Sequence, residues 1–244
     1  MRVFIKIEYD GTDYCGWQIQ PNGITVQQKI EEAIFSLTGE RSPVTGSGRT
    51  DSGVHAKGQI AHFDTSAQIP AERFSAALNR FLPDGIKVVD SYEVEGDMHA
   101  RFSAKRKTYQ YRLYESKHPR PMLSRFSARV ESRLDVEKMN EGAQSFVGVH
   151  DFKCFLASGS AVKDTVREIY SAKVERVGEE IIFTVCGNGF LYNMVRIMVG
   201  TLVKVGEGKL SPDGISQIIE SKSRKGAGIT MPPEGLTLLE VEYF

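Results

Sequence analysis

The stretch GSGRTDSGVHAKGQIAHF, residues 46 to 63, places a carboxylate, Asp51, and a guanidinium, Arg49, among Gly46, Gly48, Gly53 and Gly58. A carboxylate acts as a base, a nucleophile or an anchor for a cation, and each role requires a fixed pose against the reacting group. Glycines permit positive φ and close backbone approach, so the loop can hold Asp51 against a bulky ligand. Arg49 and Asp51 are two apart and share a side wherever the chain is extended. The same letters also fit a turn in which the Asp caps its own backbone. A second clue is Arg196 in GNGFLYNMVRIMVGTLV, residues 187 to 203, which as a helix over 190 to 203 is apolar nearly all round and has no acid three or four positions from the Arg. A guanidinium buried there needs an anion from elsewhere in the fold or from a ligand, and Asp51 is the attractive choice; the alternative is an Arg that reaches the surface along its stem.

Other chemistries fail on spacing. TGSGRT lacks the GxSxG of a nucleophile elbow, no GxxxxGK[ST] phosphate loop is present, and GNGFLY has Tyr192 where a dinucleotide fingerprint needs its third glycine. His55 and His62 are seven apart, a spacing that fits structural histidines better than metal ligands, so no metal is expected. Cys15, Cys154 and Cys186 are odd in number and far apart, with no CxxC, which argues against a disulfide framework and for a reducing cytoplasm.

The elements that must position these residues read as an α+β protein. With 244 residues, 41% hydrophobic and 25% charged, the chain can bury one large core or two smaller ones. RVFIKIEY alternates as a strand; Thr25 with Gln28 forms a capping box before a helix whose Val26, Ile30, Ala33, Ile34 and Leu37 share a face, ended by Gly39. GQIAHFDT is a strand, residues 70 to 82 a helix and IKVVDSYEV a strand. The second half has a similar order: strand KTYQYRLYE, helix 135 to 147, a hairpin turning near Gly178, the apolar helix from about 189, a short helix near 212 to 221 and a closing strand LTLLEVEY. This predicts two halves, 1–103 carrying the Asp loop and 104–244. Net charge is zero, yet residues 99 to 133 hold ten Lys or Arg against Glu115 and Glu131, a local field suited to phosphates or a solvated charged face. The N-terminus does not read as a signal peptide, and Arg196 within the longest apolar run argues against a membrane span.

YDGTDYCGWQIQPNGITVQ (9–27), GSGRTDSGVHAKGQIAHF (46–63), ARFSAKRKTYQYRLY (100–114), HDF (150–152), GNGFLYNMVRIMVGTLVKVG (187–206) and PPEGLTLLEVEY (232–243) together resemble the tRNA pseudouridine synthases of the TruA type, in order over nearly the whole chain. The resemblance implies that Asp51 is the catalytic aspartate, Arg49 the arginine that enters the RNA stem as the target base leaves it, Tyr109 the ring that stacks on the uracil, Arg196 the arginine paired with the aspartate, and Leu236 an apolar residue lining the base pocket. It further implies two ferredoxin-like halves whose antiparallel sheets join into one extended mixed sheet with helices on one face, a central active-site cleft, a homodimer, and action on the tRNA anticodon arm at positions 38, 39 and 40. Lys105, Arg106 and Lys107 then read as contacts to tRNA phosphates.

That isomerisation breaks the N1–C1′ bond, turns the uracil and joins C5 to C1′; nothing is oxidised or lost, so no cofactor is required. Extracting a stacked base costs a few kcal/mol, which an aromatic platform and a basic surface offset. Asp51 could attack C1′ or remove the C2′ proton to give a glycal; the residues leave both routes open. Two readings from other classes are a noncatalytic RNA-binding relative, which would not need Asp51 with Arg196, and a small-glycoside hydrolase, which would want a second carboxylate beside Asp51.

Overall fold

The structure is a computed structural model that describes residues 1–159 and 162–244. The chain divides into two units, Met1–Lys105 with Thr237–Phe244, and Arg106–Leu236.

In the first unit the order is β1 (Arg2–Tyr9), α1 (Val26–Thr38), β2 (Thr45–Gly46), β3 (His55–Asp64), α2 (Phe74–Leu78) and β4 (Ile86–Val94). β1 pairs antiparallel with β3 and β4, and β2 pairs antiparallel with β3, the strand order of a ferredoxin-like βαββαβ unit. The alternation of β1 sends Val3, Ile5, Ile7 and Tyr9 to one face, all buried. Phe4 lies on the other, stacked on His62 and meeting Tyr243 edge-on at 5.5 Å. Of the predicted capping box the N-cap half forms: Thr25 Oγ1 accepts from the Gln28 N–H, while the Gln28 side chain donates to Glu32 and not back to Thr25; Gly39 ends α1 at φ +76. Val26, Ile30, Ala33 and Ile34 are buried along α1, while Leu37 is only half-buried. The helix expected over 70–82 is a 3-10 turn, Ala71–Arg73, followed by the short α2. Just past α2, the Asn79 side chain exchanges two 2.8 Å hydrogen bonds with the Val88 backbone on β4, tying the helix end to the strand.

The second unit runs β5 (Arg106–Glu115), β6 (Ala128–Val130), α3 (Val136–Ala143), β7 (Gly148–Asp151), β8 (Val166–Val177), β9 (Glu180–Gly187), α4 (Met194–Gly206) and α5 (Gly214–Ser221). β9 lies between β5 and β8, antiparallel to both, so β5-β9-β8 repeats the order β1-β3-β2 of the first unit. The likeness of element order in the two halves thus extends to strand order. The β8–β9 hairpin turns at Gly178, φ +60, as expected. Tyr109, Tyr111 and Leu113 on β5 sit opposite Val185, Phe183 and Ile181 on β9, one buried apolar face.

Three further expectations are revised. The helix expected over 135–147 is α3 plus a 3-10 turn, Gln144–Phe146, where the Gln144 side chain donates to the Ala172 carbonyl. The apolar helix starts at Met194 and not near 189, because Asn193 is left-handed (φ 59, ψ 9) and stops the helix from extending backward. The closing strand, β10 (Leu236–Glu242), pairs parallel with β3, Thr237 against His55 and Leu238 against Ala56. Residues 237–244 therefore belong to the first unit, which a single cut at 103/104 cannot express. Gly58 on β3 passes the Leu239 carbonyl so closely that a side chain there would collide with backbone. Among the described residues no helix is long and apolar enough to cross a membrane.

Candidate active site

The loop that carries Asp51 is held from below by buried polar groups. Ser47 donates to Gln59 Oε1 at 2.6 Å, Gln59 Nε2 donates to the Gly48 carbonyl, and the Ser47 N–H bonds to the Ile60 carbonyl on β3. Thr50 is buried with its hydroxyl 2.7 Å from the Tyr9 hydroxyl, while Arg49 is exposed and Asp51 half-buried. This alternation puts Arg49 and Asp51 away from the core and Thr50 into it.

The YDGTDYCGW segment closes over the same loop. The Trp17 N–H donates to the Thr50 carbonyl at 3.0 Å, and the Ser52 hydroxyl bonds to the Tyr14 carbonyl. A Cβ on Gly16, at φ +81, would lie only 2.6 Å from the Thr50 carbonyl oxygen, and one on Gly11 would meet the Val54 carbonyl oxygen closer still, at 1.9 Å. Within the loop itself Gly53 takes φ +79, and the Val54 N–H closes a turn onto the Asp51 carbonyl. The loop glycines thus serve chiefly for close approach: Gly46 lies against the Trp17 ring, and of Gly46, Gly53 and Gly58 only Gly53 has a positive φ.

In the second unit Tyr109 is 8% exposed on β5, its ring edge-on to Phe190 at 5.1 Å. Two residues along, Tyr111 is fully buried and donates to the Pro232 carbonyl at 2.6 Å, with Gly235 against its ring. Burial pushes the Tyr111 hydroxyl well above its ordinary pKa, so it stays a neutral donor. That bond anchors the PPEG turn, and with it Leu236, which is 6% exposed at the start of β10.

Arg196 is half-buried on the first turn of α4, whose other residues are buried except Val203 and Lys204. Its Nε donates to the Met231 carbonyl at 2.6 Å and its Nη1 to Asn193 Oδ1 at 2.7 Å. The guanidinium is therefore anchored inside the fold and not trailing along the surface. Lys105 and Arg106 are exposed and Lys107 half-buried; Arg106 lies over the Tyr170 ring at 4.9 Å. Within each unit, then, the predicted residues fall into ordered surroundings: Arg49 and Asp51 on one clamped loop, Tyr109 and Leu236 on segments joined through Tyr111, Arg196 on its own anchors.

Sequence reasoning missed Tyr9, Thr50, Ser47 and Gln59 as the loop's supports, and Asn193 and Met231 as those of Arg196. Only Asn193 left a visible signal, a polar residue three positions before the Arg in an apolar run. His62 proves structural, its Nδ1 accepting from the Ala100 N–H, and His55 Nδ1 accepts from the Gly11 N–H. Among the described residues no three His, Cys, Asp or Glu side chains group as a metal site, and the three cysteines are free.

The family model described as tRNA pseudouridine synthase matches residues 5–103 and 143–244, which include the Asp51 loop and the Arg196 helix. The chain belongs to that family. Relatives named tRNA pseudouridine synthase A are similar over 99% of this chain: one from Acetivibrio thermocellus is 53% identical over 99% of its own length, one named tRNA pseudouridine synthase A 2 from Clostridium perfringens 48% identical over 99%, and one from an Exiguobacterium species 46% identical over 98%. As a tRNA pseudouridine synthase the protein is an isomerase that converts uridine in tRNA to pseudouridine.

Proposed function

We propose that Asp51 is the carboxylate that works on the ribose of the target uridine and that Arg196 is its counter-ion. In this reading Tyr109 stacks on the uracil, Leu236 lines the base pocket and Arg49 fills the stem when the base leaves it. The active site is a central cleft, the target lies in the anticodon arm at positions 38, 39 and 40, Lys105, Arg106 and Lys107 meet phosphates, and the enzyme acts as a cytoplasmic homodimer. No cofactor is called for, because the isomerisation is redox-neutral and conserves every atom.

The observation that carries the reading is the pose of residues 49–51. Burial of Thr50 on Tyr9 turns its two charged neighbours out of the core, and bonds from Trp17 and Val54 fix the backbone on either side of Asp51. A carboxylate held that way loses little entropy on meeting a substrate, which is what a nucleophile or base needs. The bonds of Arg196 to Met231 and Asn193 hold its guanidinium in one pose, which supports a counter-ion role. The Tyr109 ring, held edge-on by Phe190 at 5.1 Å, supports a rigid stacking platform.

The test is Asp51→Asn on tRNA carrying 5-tritiated uridine. The amide keeps the shape and loses the anion, so tRNA binding is retained and tritium release falls by about 10³-fold or more. Turnover at the wild-type rate would remove Asp51 from the chemistry.

A further inference from the structure

We infer that Asn193 and the segment 226–231 form a two-point brace that fixes the plane of the Arg196 guanidinium, which makes Asn193 a positioning residue for the isomerisation. The inference rests on the reading of Arg196 as the counter-ion of the catalytic carboxylate.

An arginine side chain is long, and an unrestrained guanidinium costs about 2 kcal/mol of rotamer entropy to bring to one pose. Here that cost is met on folding. Nε and Nη1 are separate donors on one rigid plane, and they bond to acceptors from two different segments, the Met231 carbonyl and Asn193 Oδ1. One bond would leave the plane free to swing; two define it.

Asn193 directs its side chain to Arg196 and not to the helix end. It sits at the N-cap of α4, where an Asn ordinarily accepts from an N–H of the first turn, yet its side chain makes no capping bond. It also adopts left-handed φ, which costs a non-glycine residue roughly 1 kcal/mol and which glycine would take without strain. What the side chain does instead is receive Nη1 of Arg196 at 2.7 Å.

The second acceptor is placed by backbone contact along α4. Gly200, one turn after Arg196, has no Cβ because the Ile229 carbonyl occupies that space, and Gly228 in turn lies against the Gly200 backbone. A glycine inside a helix costs about 1 kcal/mol relative to alanine, so the close approach explains a residue that helix propensity disfavours. Thr201 Oγ1 accepts from the Gly228 N–H at 2.8 Å, Lys204 donates to the Gly226 carbonyl, and the Met231 N–H bonds to the Arg196 carbonyl. The segment 226–231 is thereby laid along α4, and its last carbonyl arrives at Nε.

The experiment compares Asn193→Gly, Asn193→Asp and Arg196→Gln by single-turnover rate and by tRNA affinity. Glycine keeps the left-handed turn and removes only the acceptor, so the rate falls about tenfold while the tRNA Kd stays within about twofold. Aspartate restores an oxygen at the same reach, and its rate recovers to within about threefold of wild type. Asn193→Gly at the wild-type rate, a loss confined to tRNA binding, or Asp no faster than Gly would each overturn the brace. Arg196→Gln separates the two ideas: if it is inactive and Asn193→Gly is normal, the brace alone fails, whereas a fully active Arg196→Gln removes the counter-ion reading as well.

Discussion

Asp51 carries a short side chain and Arg196 a long one, and the protein fixes them by different means. Around Asp51 the precision lies in the backbone: Gly16 and Gly11 let the 9–17 segment press on Thr50 and Val54, and Thr50, Ser47 and Gln59 are tied down in the core. A carboxylate only two bonds from its Cα goes wherever that backbone goes. Around Arg196 the helix sets only the origin of the side chain, and the charged end is placed by acceptors from Asn193 and Met231. Short groups are aimed from their root and long ones from their tip. The two regions should accordingly fail differently, the first through loss of structure and the second through loss of rate.

Gly16→Ala should give the largest effect. It places a methyl at φ +81 and within 2.6 Å of the Thr50 carbonyl, a backbone atom that cannot rotate away. Stability should fall by about 3 kcal/mol or more, with activity lost in parallel, as read by denaturant midpoint and tritium release. A Gly16→Ala protein of normal stability would mean that the loop is not positioned by its backbone.

Gly200→Ala should sharpen the contrast. The methyl would lie 2.0 Å from the Ile229 carbonyl oxygen, so that carbonyl and with it the Met231 acceptor must shift outward; stability should fall by about 2 kcal/mol, less than at Gly16 because Ile229 is exposed, the position is not left-handed and α4 gains helix propensity. The single-turnover rate should still drop about tenfold with tRNA affinity unchanged. If rate and affinity fell together, the segment would be serving tRNA binding and not the guanidinium.

The smallest effect concerns pH and belongs to the first unit. His62 is 6% exposed on β3, the strand that follows the Asp51 loop, and burial, with the nearby positive charges of Arg2 and His99, pushes its pKa down to about 4. The unfolded chain, with a pKa near 6.5, binds the proton more readily in between. His62 therefore contributes full stability above about pH 6.5, and that contribution is lost as pH falls toward 4. Chemical denaturation at pH 7.5 and pH 5 should show wild type weakening more than His62→Gln; equal slopes would rule the histidine out as the source.

Local patterns made much of the fold legible before any coordinates. The Thr25 cap, the Gly39 stop, the Gly178 turn and the period-2 strands all depend on residues close in sequence, and those elements form where the pattern puts them. Apart from the start of α4, set locally by the left-handed Asn193, errors arose where a distant partner intervened. Asn79 ties the end of α2 to β4, the Gln144 side chain reaches Ala172, and β10 joins β3 after more than half the chain has passed. At the candidate site the charged residues stood out by type and spacing, but their supports did not, since Tyr9, Gln59 and Met231 are ordinary residues whose roles come from what they touch.

The amino acids alone determined most element types, the family and the charged residues that stand out by type and spacing, Asp51 and Arg196, because helix periodicity, capping and motif spacing are encoded within short stretches. Tertiary structure decided how those charges are held: which backbone presses on the Asp51 loop, which carbonyl meets Arg196, and to which unit the last strand belongs. Such contacts form between segments far apart in sequence, and their geometry is set by the packing of whole elements, which no local pattern contains.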